Sequence, residues 1–324
     1  MANHLIGQVP LVLRSSPFTH LGKRRNKKGK AMEAVKPVQQ AFGSPGGKSY
    51  LAPRIAGMIP PHETYVEPFA GGAAVYFRKE PSEQEVLSDK NKEIAFAFRF
   101  LRDMTAEQFK KLQRYDWRGS ETLFKKLRNV KPQDDIGRFR RFYYLRWASY
   151  GEGLTNYNHQ RDGAIKDIDK LWRVHERLKR TTVHGGDALS LIRKYDSSST
   201  FFYLDPPYPN RAFIGADEKY TTEDLARLVD KLGKIKGKFA LSLGTEHAKL
   251  LPVNWLINKV KVRRQLASGN KEEQYQYEII ATNYKPVDTK SLLKDYKPLN
   301  VGRRVKPKRR LRYRGLEKCA VGAR

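Results

Sequence analysis

FFYLDPPYPN, residues 201–210, joins a buried strand, an acid and a rigid turn. The four apolar residues Phe201 to Leu204 form a strand, and Asp205 stands where that strand ends. In open α/β sheets, ligands bind outside the carboxyl ends of the strands. Pro206 and Pro207 follow. Proline has a fixed φ and no N–H, so the carbonyls of this turn are held rigidly with little local competition. Tyr208 then offers an aromatic face. A plain strand-ending turn would also explain Asp-Pro-Pro-Tyr. Its place directly after FFYL is what favours a site.

Working outward, the same logic recurs. TYVEPF (64–69) is a short apolar strand pattern running into Ala70-Gly71-Gly72 and then the helix start AAVYF. EVLSD is a second strand ending at Asp89, and NKEIAFAFRFLRDM after it has helical spacing. Strand, glycine turn, helix, strand reads as a βαβ unit and hence a parallel sheet. Strand patterns return in TTVHGGDAL, TFFYLDPPY, KFALSLG and a final pair, WLINKVKVRRQLAS and QYQYEIIATNY. YTTEDLARLVDKLGK carries a threonine N-cap candidate, acids in its first turn and Leu225, Leu228, Val229 and Leu232 on one face, which predicts an amphipathic helix. Between the second strand and TTVHGG the composition shifts to Lys, Arg, Tyr, Phe and Trp. Phe139, Phe142, Tyr143 and Trp147 recur at helical steps. The expected class is therefore α/β, a Rossmann-like doubly wound sheet with a helical insertion. The sheet domain would take residues 41–100 and 181–290 and the insertion 101–180. A basic arm would precede it at 1–40 and a basic tail follow at 291–324.

Charge is the strongest global signal. Sixty-four Lys and Arg against thirty-four Asp and Glu give a net +30 over 324 residues. Such a field attracts polyanions, and nucleic acid is the expected partner. Anionic lipid is less suited, because the basic runs lack an amphipathic apolar face. No apolar run approaches bilayer length. The short apolar stretch near the start precedes the Lys/Arg run, the reverse of a secretory signal. Cys319 is the only cysteine, which excludes an internal disulfide and a cysteine zinc site and fits a reducing cytoplasm. Gly47-Lys48-Ser49 invites a phosphate-loop reading, but the first glycine that motif needs falls on Phe42.

An acid followed by rigid carbonyls and an aromatic ring suits one task well. An exocyclic amine on a base is a poor nucleophile, because its lone pair is delocalised. Acceptors for its two hydrogens localise that pair, and positioning against a methyl donor supplies much of the rate. The base must leave the duplex first, and an aromatic ring is the usual surface on which it stacks. Asp205, Pro206, Pro207 and Tyr208 supply these roles within one tetrapeptide.

With both motifs in view, residues 42–284 resemble the adenine-N6 DNA methyltransferases in which a glycine motif precedes DPPY, the group that includes bacterial DNA adenine methyltransferase. The resemblance implies S-adenosyl-L-methionine as cofactor and no metal. It places cofactor contacts at Gly46, Gly47 and Lys48 and in the loop Glu67-Pro68-Phe69-Ala70-Gly71-Gly72. Asp89 would hold the ribose, as an acid ending the second strand does in dinucleotide folds. Asp187 is a looser match for a group near the cofactor adenine, and Asp205 borders both cofactor and base. RFYYLRWASYGEGLTNYN resembles part of the family's target-reading insertion. The arginines that interleave with the aromatics in and just before it, Arg138, Arg140, Arg141 and Arg146, are candidate DNA contacts together with Asn156, with arginine the commonest base reader. The aromatics among them fit a core. The expected partner is double-stranded DNA with the target base flipped, and a cognate restriction endonuclease is a candidate partner. RNA adenine or DNA cytosine-N4 methylation, and a degenerate chain that only binds DNA, stay open at this point. The basic arm and tail depart from the family pattern.

Overall fold

The computed structural model describes residues 38–44, 46–150, 154–164, 168–209, 220–263 and 275–286. Nearly all of the expected basic arm, and all of the tail from 291, lie outside these residues.

In chain order the elements begin with α1 (Ala52–Met58), β1 (Thr64–Glu67), α2 (Ala74–Arg78), β2 (Gln84–Asp89) and α3 (Lys92–Asp103). The stretch expected as an insertion holds α4 (Ala106–Gln113), β3 (Arg118–Gly119), α5 (Glu121–Asn129), α6 (Asp135–Ala148), β4 (Gly163–Ala164) and α7 (Lys170–Leu178). Next come β5 (Thr181–Gly185), α8 (Ala188–Tyr195), β6 (Thr200–Leu204), α9 (Thr222–Leu232), β7 (Lys238–Gly244), β8 (Leu256–Arg263) and β9 (Tyr275–Thr282).

Seven strands form one sheet in the order β5-β2-β1-β6-β7-β9-β8. The first five run parallel, and β9 pairs antiparallel with both β7 and β8. Strand order reverses between β1 and β6. The chain first winds outward through β2 and β5, then returns to the other side of β1. That reversal opens a crevice at the carboxyl ends of β1 and β6, where a doubly wound sheet binds its ligand.

Period-two alternation sorts the strand residues between the two faces. Tyr65, Leu87, Phe201, Tyr203 and Ile280 pack under α1 to α3, in one core shared with the insertion. Val66, Val86, Phe202, Leu204, Phe239 and Leu241 pack under α8 and α9. The helices have identifiable local causes. Asn91 caps α3 by accepting the amide of Glu93 at 2.9 Å. Thr221 and Asp224 make a reciprocal capping box at α9, whose four expected apolar residues are all buried. Within the insertion, Phe139, Phe142 and Tyr143 are core residues and Trp147 packs against them. No helix of the described residues is long and apolar enough to cross a membrane.

Candidate active site

The crevice is lined first by the turn after β1. Gly71 has φ +49°, and a Cβ there would lie 2.7 Å from the Ser44 Oγ. A Cβ on Gly72 would lie 2.6 Å from the Phe42 carbonyl oxygen. Only glycines let residues 42–44 lie this close to the turn. The Gly72 N–H donates to Ser44 Oγ at 3.3 Å, and the Gly71 N–H donates to Asp89 Oδ2 at 2.9 Å. Asp89, ending β2, also accepts the Asn91 amide at 2.8 Å. Burial raises its carboxyl above the ordinary range, and these amides oppose that. Each of its oxygens keeps a further lone pair for a hydroxyl donor.

Across the crevice, Asp205 follows β6. Lys48 reaches it from the loop before α1, with Nζ 2.8 Å from Asp205 Oδ1 and 3.8 Å from Glu278 Oε2. Lys48 also donates to the Gly46 carbonyl at 2.9 Å and lies 5.2 Å from the Tyr208 ring centroid. Burial pushes the Asp205 carboxyl up, and the Lys48 ammonium pulls it back. Glu67 is buried at the end of β1 and accepts the Tyr65 hydroxyl at 2.8 Å. Burial is the chief reason its carboxyl is pushed up to about 8, and the charge on Asp205 adds to it. Asp205 and Glu278 therefore share one lysine at the switch point, and Glu67 lies close enough to feel the charge on Asp205. Phe69, just after β1, is edge-on to Tyr220 at 6.3 Å and packs against the core under α8 and α9.

Pro206 is buried and Pro207 half-buried, so the turn is fixed by packing as well as by its rings. Tyr208 is 6 % exposed, with its ring 6.2 Å from that of His247 and steeply inclined to it. A base can stack on this ring only after local opening. Asp187 caps α8, accepting the Ser190 amide at 2.7 Å, beyond the end of β5. Gly46 has φ +73° and open space where a Cβ would be.

The four arginines of α6 fan out differently. Arg138 pairs with Glu93 and covers the Phe96 ring at 3.9 Å. Arg140 covers Tyr115 at 4.2 Å. Arg141 donates to the carbonyls of Leu127 and Arg128 at 2.8 and 3.0 Å, closing the end of α5. All three remain half-exposed, whereas Arg146 is buried. Asn156 is exposed, and its carbonyl accepts the Tyr150 amide at 2.8 Å. Gly151 to Gly153 of the same motif lie outside the described residues.

Two participants escaped the sequence reading. Glu278 belongs to QYQYEIIATNY, where alternation sets it on the same face as the buried Ile280. An acid at an inward strand position was the available signal. Ser44 bridges to the glycine turn, and nothing in its local sequence marks it.

Residues 44–265 match the model of the D12 class N6 adenine-specific DNA methyltransferases. The chain belongs to this family. It methylates adenine N6 in DNA, which decides among the alternatives left open by the residues alone. Curated relatives agree. The type II methyltransferase M.MjaIII of Methanocaldococcus jannaschii is 25% identical over 280 residues, covering 74% of this chain and 96% of its own. M.CviBI of Paramecium bursaria Chlorella virus NC1A, also a type II methyltransferase, is 29% identical over 217 residues, covering 61% and 80%. M1.LlaDCHI of Lactococcus lactis subsp. cremoris is 24% identical over 266 residues, covering 74% and 93%. Membership of this family, together with the fold, implies catalysis that depends on S-adenosylmethionine.

Proposed function

We propose that Asp205 and the Pro206 carbonyl accept the two hydrogens of a flipped adenine amine while Lys48, Glu67, Phe69, Asp89 and the Gly71-Gly72 turn hold S-adenosylmethionine. The observation that carries this is the convergence of Lys48, Glu67 and Asp205 on the carboxyl ends of β1 and β6. The donor set fits the cofactor. A half-buried carboxylate with spare lone pairs at Asp89 suits ribose hydroxyls, and buried acids suit an ammonium and a sulfonium. When bound, the cofactor supplies a methyl group as an electrophile.

The chain's own residues do the rest. Asp205, whose charged form Lys48 favours against burial, localises the lone pair on N6 by accepting a hydrogen bond from one of its hydrogens. The rigid Pro206 carbonyl accepts the other. Tyr208 stacks on the base once its ring is uncovered, and Pro207 fixes that ring's approach. Asp187, Gly46 and Gly47 border the cofactor side. Arg138, Arg140, Arg141 and Asn156 contact the target DNA. The type II names of the relatives support a cognate restriction endonuclease, and the DNA substrate agrees with the expected cytoplasmic setting.

Asp205→Ala tests the reading. The variant should bind S-adenosylhomocysteine and duplex DNA yet lose methyl transfer in single-turnover assays. Asp205→Asn should keep a residue of activity, since its amide oxygen still accepts. Near-normal turnover by a folded Ala variant would end the proposal. A 2-aminopurine at the target adenine should brighten on binding if the base is flipped.

A further inference from the structure

Arg146 stands in the target-reading stretch by sequence, but the residue is 5 % exposed. It lies 4.8 Å from the centroid of Phe142 on its own helix and 5.9 Å from that of Phe42. Its Nη1 donates a long bond, 3.4 Å, to the Gly43 carbonyl. Phe42 is itself clamped, with Phe98 at 5.0 Å and Phe142 edge-on at 4.9 Å. One residue further, Ser44 Oγ accepts the Gly72 amide, and the neighbouring Gly71 amide is held by Asp89. A continuous chain of contacts thus runs from the last turn of α6, through residues 42–44, to the glycine turn. The positive charge of Arg146 also acts on Asp89 at the far end of that chain.

We propose that Arg146 is a positioning residue that ties α6 to the cofactor loops and sets cofactor affinity, instead of reading bases. This rests on the reading that Gly71, Gly72 and Asp89 hold S-adenosylmethionine. A planar fork over two rings suits the place, because arginine stacks on aromatic faces and is weakly hydrated. Through this residue the helix that carries the DNA-contacting arginines is joined mechanically to the cofactor site.

The experiment uses the full chain with Arg146→Ala and Arg146→Lys. Calorimetry gives the affinity for S-adenosylhomocysteine, fluorescence anisotropy gives DNA affinity without cofactor, and amide exchange is followed in the cofactor-free protein. We expect the Ala variant to lose about tenfold in S-adenosylhomocysteine affinity, about 1.4 kcal/mol. The Lys variant, which keeps the charge, should lose less. Exchange at residues 42–44 and 71–72 should quicken in both, while DNA affinity and site preference stay within about twofold, since phosphate and base contacts are untouched. Unchanged cofactor affinity with unchanged exchange overturns the proposal, as does lost site preference with cofactor affinity intact. Should the Ala variant fail to fold, Ser44→Ala cuts the same chain at its other end. It should weaken cofactor binding, and with Arg146→Lys the losses should be less than additive; full additivity counts against the link. If the unaltered protein binds no S-adenosylhomocysteine, the cofactor reading falls. The exchange comparison still decides Arg146 in that case, and no quickening in the Lys variant rejects it.

Discussion

Lys48 and Asp205 form a pair whose balance is open to measurement. Burial holds the Asp205 carboxyl above its usual range and the Lys48 ammonium offsets part of that. Removing the cation as Lys48→Met should push the carboxyl higher still. The acid limb of the single-turnover rate against pH should then move to higher pH, with activity recovering as pH rises. A limb that stays put or moves down would separate Lys48 from Asp205. Glu67 makes a different test. Burial pushes its folded carboxyl up to about 8, against an ordinary value of 4.5. Between these values the unfolded chain releases a proton that the folded chain keeps, so stability falls as pH rises. The contribution is present in full below the unfolded value and is lost through about 8. Glu67→Gln should therefore gain on the parent by up to about 1.4 kcal/mol per pH unit in that window. Denaturation at pH values near each end would show it, and parallel curves would reject it. Of these residues, Asp205, Glu67 and Lys48 could be named from motifs, because each sits in a short string with its own local logic. Glu278 could not be placed, since its neighbour Lys48 lies far away along the chain and no spacing records a contact between β9 and the loop before α1.

At the level of elements, the glycine turn is the least forgiving. Gly72→Ala sets a methyl against the Phe42 carbonyl oxygen, a backbone atom that cannot step aside cheaply. The expected cost is about 1–3 kcal/mol of stability, the usual range for overpacking, together with weaker S-adenosylhomocysteine binding. Denaturation and calorimetry on one preparation check both, and an unperturbed variant would mean that residues 42–44 do not press on the turn. Strands and the α9 helix were readable because alternation and capping are local: the Thr221 box and Leu225, Leu228, Val229 and Leu232 stand as their spacing requires. The α6 helix shows where such reading stops. Phe139, Phe142, Tyr143, Tyr144, Leu145, Arg146 and Ala148 are all buried, so its C-terminal half has no clean outer face. Periodicity could find that helix but could not say that Arg146 turns inward while Arg138, Arg140 and Arg141 stay half-exposed. A parallel, doubly wound sheet could be anticipated from βαβ units, but its order β5-β2-β1-β6 could not, because such units do not say where the winding reverses. The insertion of β9 between β7 and β8 was not expected, because hairpin order alone does not say which strand of the pair meets β7.

For the whole molecule, net charge governs how DNA is approached. Arg303, Arg304, Lys306, Lys308, Arg309, Arg310, Arg312 and Arg314 crowd the C-terminal segment. If about half of them neutralise duplex phosphates, deletion from Val301 onward should flatten the slope of log affinity on log salt by about 3–4 units. Turnover at saturating DNA and the preference for the target site should hardly change, because phosphate contacts carry no sequence information. A preserved salt slope, or a lost site preference at constant affinity, would refute this. The pairing of β1 with β6 has one more consequence, which lies in time. Tyr65 and Val66 leave the ribosome well before Phe201 and Phe202, the partners that cover their free edge. At ordinary rates of synthesis that interval is on the order of ten seconds. Throughout it the nascent chain carries Lys48, Glu67 and Asp89 without Asp205, with an apolar strand edge unpaired. The growing polypeptide thus lacks its catalytic acid and is exposed to aggregation, and a chaperone that shields β1 during translation should raise the yield of active enzyme more than one that acts after release.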